Sequence, residues 1–358
     1  MRKIYEAMDI SDSAYIMHEG KIVFEISPED KYTVEGKEII FGAEEPLIAY
    51  KTGRDDYFRF QSAYVTDDSK VDVIPLKNLY KVIVLYNVGY NVSKNIARYV
   101  QITNKIYINK EKKLSGQEMM SKEYARIYVD TVDQLRKIYE KLKIGWLSNL
   151  LNELTNNLVY TKGRAFMRSS SSASIKVNTA NLNEYTFNLK AGSILCEEGD
   201  EGREMFILNR GALEVYIGGK KVADVNEPGT VIGEMALLLG EKRTATIKTV
   251  SECNITIIKP EDLKKVAEKD KNFFLNLAVN MSKRLEHNCY LIREANELMR
   301  ESKKNNKPVP PAERRNYKEL LNMLRSLERY EAKYKNEWLR ELIKQTKNKI
   351  IKIREMYQ

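Results

Sequence analysis

Cysteine and histidine are scarce: three Cys and two His in 358 residues. Cys196, Cys253 and Cys289 are odd in number and lack metal-ligand spacing. That argues against a disulfide framework and for thiols in a reducing compartment. With only His18 and His287, histidine-rich metal or acid–base chemistry is not expected, and no metal is assigned. No apolar run approaches the ~20 residues that span a bilayer. The opening Met1-Arg2-Lys3-Ile4-Tyr5-Glu6 lacks the apolar core of a signal peptide. A cytoplasmic location without a transmembrane segment is therefore expected.

What is present suits a soluble protein of two or three domains. Hydrophobic residues make up 43%, enough for a core, and charged residues 31%, enough for a hydrated surface. The formal charge of +10 is concentrated at one end. Residues 301–358 hold 16 Lys and Arg against 8 Asp and Glu, so an electrostatic partner is sought first at the C-terminal tail.

Two breaks divide the chain. Four serines at 169–172 open a polar stretch, giving a linker over residues 166–182. Pro308, Pro310 and Pro311, three of only eight prolines, mark a second linker over 305–312, because proline cannot continue a helix. The expected modules are thus 1–165, 183–304 and a helical tail, 313–358.

The central module carries the most informative segment. Gly233-Glu234-Met235-Ala236-Leu237-Leu238 is followed by Arg243-Thr244-Ala245-Thr246. A glycine-led turn into a short helix presents backbone N–H groups to an anion. An arginine beyond it can grip two phosphate oxygens with its planar fork. An ionised glutamate only accepts hydrogen bonds, so it suits a sugar hydroxyl. The set fits a ribose cyclic phosphate, and the two charges are expected to neutralise each other in the empty site.

Around that segment lie short strand-like runs such as Met205–Leu208, Leu213–Ile217 and Cys253–Ile258, punctuated by glycines. Such spacing indicates a barrel or sandwich. From Pro260 the apolar period lengthens to that of a short helix and then a long one.

Residues 184–300 resemble the cyclic nucleotide-binding domain of catabolite activators, kinase regulatory subunits and nucleotide-gated channels. The resemblance runs from Lys190-Ala191-Gly192 through Glu198-Gly199-Asp200, Gly211 and Pro228-Gly229 to the Gly233–Thr246 segment. Lys242 departs from it, standing where the family often has proline. The resemblance implies an α+β fold built on an antiparallel β-roll, jelly-roll-like, with flanking helices. It assigns Glu234 to the ribose 2′-OH and Arg243 to the cyclic phosphate. Backbone amides near Met235, Ala236 and Ala245 complete the anion site. It also implies a non-enzymatic receptor in which the helix after Pro260 responds to ligand and forms a dimer seam. Arg284, Asn288 and Tyr290 are candidates to touch the base, against the plainer expectation that this helix simply packs. Gly233, Glu234, Met235, Ala236, Arg243, Thr244 and Ala245 are the expected ligand-binding residues. The expected ligand is cAMP or cGMP, with cAMP favoured; Thr244 does not decide between them.

An echo of the same pattern occurs in the first module. An offset of 191 carries Gly20 onto Gly211 and Gly42 onto Gly233. Val71–Ile74 takes the part of the last strand, Leu79 and Val82 that of the following helix, and Gln117–Val159 that of the long response helix. At that offset Ala43 replaces Glu234 and Thr52 replaces Arg243, while Glu44 and Glu45 bring the wrong sign for a phosphate. Arg54 is a partial substitute. The module lacks a counterpart of Tyr185–Glu198 and is expected to be a degenerate copy. The fold expectation is therefore a tandem β-roll with a C-terminal amphipathic tail.

Three readings of the tail compete. Its stripe from Tyr317 through Leu327 and Trp338 to Ile353 packs on the protein itself or a second copy. It serves a protein partner under ligand control. Or its charge contacts nucleic acid or an anionic membrane, which its eight acids disfavour. The tail is expected to be one long helix or two with a bend near Thr346. It shows no helix-turn-helix pattern, so a transcription regulator with an atypical DNA-binding tail is the alternative to a receptor. No kinase, phosphodiesterase or cyclase motif is visible.

Overall fold

The computed structural model describes residues 1–53, 57–113, 116–157, 159–160, 177, 179–304 and 311–357. Arg54 and most of both linkers lie outside the described residues. The described chain forms two compact units, one of residues 1–104 and 172–289, the other of 105–171 and 290–358. These units group the chain differently from the sequence-based modules, because the helices after the first module and the tail share an apolar core. Cys196, Cys253 and Cys289 are buried thiols outside any disulfide.

The first unit is antiparallel β with helices. Its N-terminal part is one five-stranded sheet: β1 (Arg2–Tyr5), β2 (Ser13–Ser27), β3 (Asp30–Phe41), β4 (Ser62–Val65) and β5 (Val71–Pro75). Along β2, Ile22, Phe24 and Ile26 are buried while Lys21, Val23 and Glu25 are less so, the alternation of a strand with one face on a core. The central part has two four-stranded sheets, in the orders β10-β9-β12-β7 and β11-β8-β13-β6. Their strands are β6 (Thr186–Leu189), β7 (Ile194–Cys196), β8 (Met205–Arg210), β9 (Leu213–Ile217), β10 (Lys220–Val225), β11 (Thr230–Ile232), β12 (Thr246–Thr249) and β13 (Cys253–Ile258). Phe206, Leu208, Leu213, Ile247 and Ile255 form their core.

Strand registers show that the two parts are the same fold. At the 191 offset, Ile22↔Val34 becomes Leu213↔Val225, and Ile16↔Ile40 becomes Ile207↔Val231. Thus β2 is β8 and β9 run together, and β3 is β10 and β11 run together. β4 meets Ile22–Glu25 as β12 meets Leu213–Tyr216. β5 pairs with the start of β2 as β13 pairs with β8. β1 pairs with β4 as β7 pairs with β12, with Tyr5 opposite Ala63 and Cys196 opposite Ile247. The first copy therefore does possess part of the segment expected to be missing: β1 answers to β7, and the strand left without a counterpart is β6. Gly20 and Gly211 have φ of 134° and 105°. A side chain at Gly211 would meet the Cys253 sulfur at 2.5 Å, where β13 begins, and one at Gly20 would run into the Ser69 side chain in the turn after β4, so neither position has room for a Cβ.

A short helix follows each copy, Leu76–Val82 and Leu263–Lys269, and then a long one, Tyr86–Glu111 and Phe273–Lys304. The long helix of the first copy is thus 86–111, not 117–159 as the sequence suggested. Its buried Val92, Ile96, Tyr99 and Val100 keep helical spacing, but Asn87, Asn91 and Asn95 obscure the stripe. Within the first unit the two long helices meet at Gly89, where a Cβ would lie 2.5 Å from Phe274 Cβ. Asn288 donates to Val100 O at 3.1 Å and to Thr103 Oγ1 at 3.0 Å.

The second unit is helical. Gly116–Leu142, Gly145–Thr155, Pro311–Tyr334 and Glu337–Tyr357 bury a core that includes Tyr128, Val132, Leu150, Leu320, Leu327 and Leu339. The tail is two helices, but the break falls at Lys335, with φ of 47°. Thr346 sits inside the last helix, where it donates to Leu342 O and lies 3.2 Å from the Thr131 hydroxyl. Leu320, Leu324, Leu327, Leu342 and Ile353 are buried within this unit, so the stripe packs on the chain itself. Trp146 stacks on Tyr334 and Trp338, with ring centroids 4.7 and 5.9 Å apart.

Candidate functional site

Between β11 and β12 the chain turns at Gly233, φ 79°, into the helix Glu234–Leu239 and leaves it at Gly240, φ 68°. The helix spans six residues, too short for much dipole, so side chains dominate the charge. A cavity of about 240 Å³ opens beside it and is lined by Gly233, Glu234, Met235, Ala236, Arg243, Thr244 and Ala245. The turn and the strand start thus bring the seven expected residues to one cavity, as lining.

Arg243 is 5% exposed and Glu234 is 3%, an arrangement that burial permits only with partners. They do not neutralise each other as expected. Arg243 donates from Nη1 to Glu204 O at 2.7 Å and pairs through Nη2 with Glu204 Oε2 at 2.9 Å. Its guanidinium lies 5.1 Å from the Phe206 ring centre. Glu234 instead takes an ion pair from Arg284 on the helix Phe273–Lys304. The reason is geometric: each charge is served by the element packed nearest to it.

The Nε–H of Arg243 is buried and has no acceptor among the described residues. A buried guanidinium with a spare donor beside a cavity suits an added anion. Glycine is required around it. A Cβ at Gly202 would stand 2.7 Å from Arg243 Nε, and one at Gly233 would stand 2.6 Å from Nη1.

Of the three candidates for a base contact, only Arg284 lines the cavity. Asn288 is engaged with the helix Tyr86–Glu111, and Tyr290 is not among the lining residues. Sequence reasoning missed Glu204, Gly202 and a wall supplied by the first copy. Val100, Gln101 and Asn104 line the cavity, and Gln101 donates to Glu241. Glu204 had no local signal, and only the fold brings Gln101 here.

The family model of the cyclic nucleotide-binding domain matches residues 186–270. The chain thus carries a cyclic nucleotide-binding domain, and the two β-rolls are a tandem of that fold. A "Cyclic nucleotide-gated channel" of Caenorhabditis elegans is 37% identical over 79 residues, 20% of this chain and 11% of the relative. A "cGMP-dependent protein kinase" of Eimeria tenella is 34% identical over 106 residues, 30% and 10% respectively. The chain spans about a tenth of the length of these relatives. Among solved structures, the regulatory domain of Toxoplasma gondii PKA with cAMP covers 76% of this chain and 79% of its own, with 11% identity and a TM-score of 0.22. The described residues include no helix long and apolar enough to cross a membrane.

Proposed function

We propose that the chain is a cytoplasmic cyclic-nucleotide receptor without covalent chemistry, with cAMP preferred over cGMP. The observation that carries this reading is that buried Arg243 and buried Glu234 line one cavity together with Met235, Ala236 and Ala245. The phosphate would take the guanidinium edge and nearby amides of Met235, Ala236 and Ala245. The ribose 2′-OH would donate to Glu234, which must then share or release Arg284. A ligand shifts a conformational equilibrium only through such differential contacts. Arg284 lies on the helix Phe273–Lys304, so exchange at Glu234 is the step that would reach partners, including a second copy through the helix after Pro260 or a protein bound by the tail. In this reading residues 183–304 form the working domain, residues 1–165 a degenerate copy, and 313–358 the responsive tail.

A cavity of about 240 Å³ lies below the ~300–1,000 Å³ range of common ligand pockets, which favours a mononucleotide over a cyclic dinucleotide. Isothermal titration of the full chain with cAMP, cGMP and cyclic dinucleotides tests this. One mononucleotide per chain is expected, and tight dinucleotide binding would overturn it. For a DNA-binding regulator, the buried stripes of both tail helices leave only exposed charge, and a ligand-dependent, steeply salt-sensitive gel shift would be needed to support it.

A further inference from the structure

The strand registers relocate the arginine of the first copy. Ser62 stands opposite Glu25 as Thr246 stands opposite Tyr216. Three residues before each lies an arginine, Arg59 and Arg243. Arg59, not Thr52 or Arg54, is the counterpart. Twenty positions separate Gly42 from Ser62 against thirteen from Gly233 to Thr246, and this insertion hides the match.

The two arginines also keep the same company. Arg59 donates through Nη1 to Gly42 O at 2.6 Å and through Nη2 to Ser13 O. Arg243 donates to Gly233 O at 3.4 Å and to Glu204 O. Gly42 answers to Gly233 and Ser13 to Glu204 at the 191 offset. Arg59 lies 5.9 Å from the Tyr15 ring centre, and Tyr15 answers to Phe206. Two things differ: Arg243 also pairs with the Glu204 carboxylate, where the first copy has Ser13, and the space beside the arginine is filled differently. At the position of Ala236 the first copy has Glu45, which is 1% exposed. One of its oxygens pairs with Arg59 Nη1 at 3.0 Å, and the other accepts the Phe60 N–H at 3.0 Å. Phe60 answers to Thr244.

We infer that the first copy is a self-liganded receptor, in which the Glu45 carboxylate fills the anion seat at Arg59 that the second copy leaves open at Arg243. A carboxylate and a phosphate share what an arginine fork and a backbone N–H recognise, namely two oxygens and a negative charge. Ala43 stands in the place of Glu234, so that position offers no carboxylate to a sugar hydroxyl. The first copy therefore takes no free anion, and removing Glu45 uncovers a latent site for one. The comparison with phosphate rests on the proposed role of Arg243; the site at Arg59 is tested without it.

The test uses the full chain carrying Arg243→Ala, to silence the second site, with and without Glu45→Ala. Melting temperature is compared in inorganic phosphate and in chloride at equal ionic strength. Arg243→Ala alone is expected to be indifferent to the anion. Addition of Glu45→Ala should lower the melting temperature sharply in chloride, and roughly tens of millimolar phosphate should restore several degrees by mass action. A further Arg59→Met change should abolish that gain. If the Glu45→Ala chain does not fold in chloride, its refolding yield in the two salts is compared instead. Equal melting or equal yield in the two salts, or an equal gain in the Arg243→Ala parent, overturns the inference. Failure of the wild-type chain to bind any cyclic nucleotide would refute the receptor reading and leave this result unaffected.

Discussion

The two β-rolls place an arginine in the same seat and use it in opposite ways. Both arginines keep a buried Nε–H without an acceptor among the described residues; in the second copy Arg243 pairs with Glu204 and lines a cavity together with Ala236. In the first, Arg59 is closed off by Glu45, with both side chains 1% exposed. Where the first copy sets the Glu45 carboxylate against Arg59, the second has Ala236 and a cavity beside Arg243. A fold can thus keep the electrostatic centre of a site while giving up the site itself, because a buried guanidinium needs a counter-charge and does not distinguish its source.

Arginine removal should split the two copies most sharply. Arg243→Ala should lower cyclic-nucleotide affinity by roughly hundredfold or more, the order expected when a buried charged pair loses one partner, as read by calorimetry. Arg59→Ala should leave nucleotide affinity per folded chain nearly unchanged but cost about 3–5 kcal/mol of stability, since it strands the buried Glu45. Chemical denaturation measures that, and a nucleotide-affinity loss in Arg59→Ala matching that of Arg243→Ala would break the comparison.

Exchanging the small residue is the next test. Ala236→Glu should plug the second copy with its own carboxylate, so that binding is lost while the chain still melts cooperatively. Retained nucleotide binding would show that the space beside Arg243 is not the anion seat. Glu234→Ala should have a milder effect, on the order of tenfold in affinity, from the loss of one hydroxyl acceptor. It also frees Arg284, so calorimetry should be paired with the Arg284→Ala variant to separate the two.

The remaining test, on the first copy alone, is one of pH. Burial, and then the neighbouring Glu45, push the Glu44 carboxyl from 4.5 up to about 8. The folded chain therefore holds a proton that the unfolded chain gives up near pH 4.5. Stability falls as pH rises between these values, because the unfolded state binds fewer protons there. Glu44→Gln should flatten this slope, raising the melting temperature at pH 8 more than at pH 5. Arg59, Tyr5, Tyr32, Tyr99 and Glu45 are charged or titratable groups around Glu44 and are unchanged in that variant.

Much of this was legible in the residues. Gly233, Glu234 and Arg243 sit within one turn and strand start, so local spacing was enough to gather them at one cavity. The echo at Gly20 and Gly42 likewise revealed the second β-roll. Arg59 was not legible, since seven extra residues shift it away from the ungapped match at Thr52, and only strand pairing restores the register. β1 was missed because a four-residue strand has no periodicity to read. The counter-ions failed for a related reason. Glu204 and Arg284 are distant in sequence from the charges they serve, and a long-range pair leaves no local pattern. The tail bend was displaced because Thr346 looks like an interruption in the apolar stripe, whereas its hydroxyl is satisfied inside the helix.

The stacked rings of the helical unit bear on how the molecule can be watched. Trp146 and Trp338 are the chain's two tryptophans, and neither lines the cavity beside Arg243. Their emission is a built-in optical reporter of the helical core. A change in that emission when nucleotide is added would be a signal received at a distance, and an unchanged spectrum during saturating binding would mean that the message stops at the β-roll.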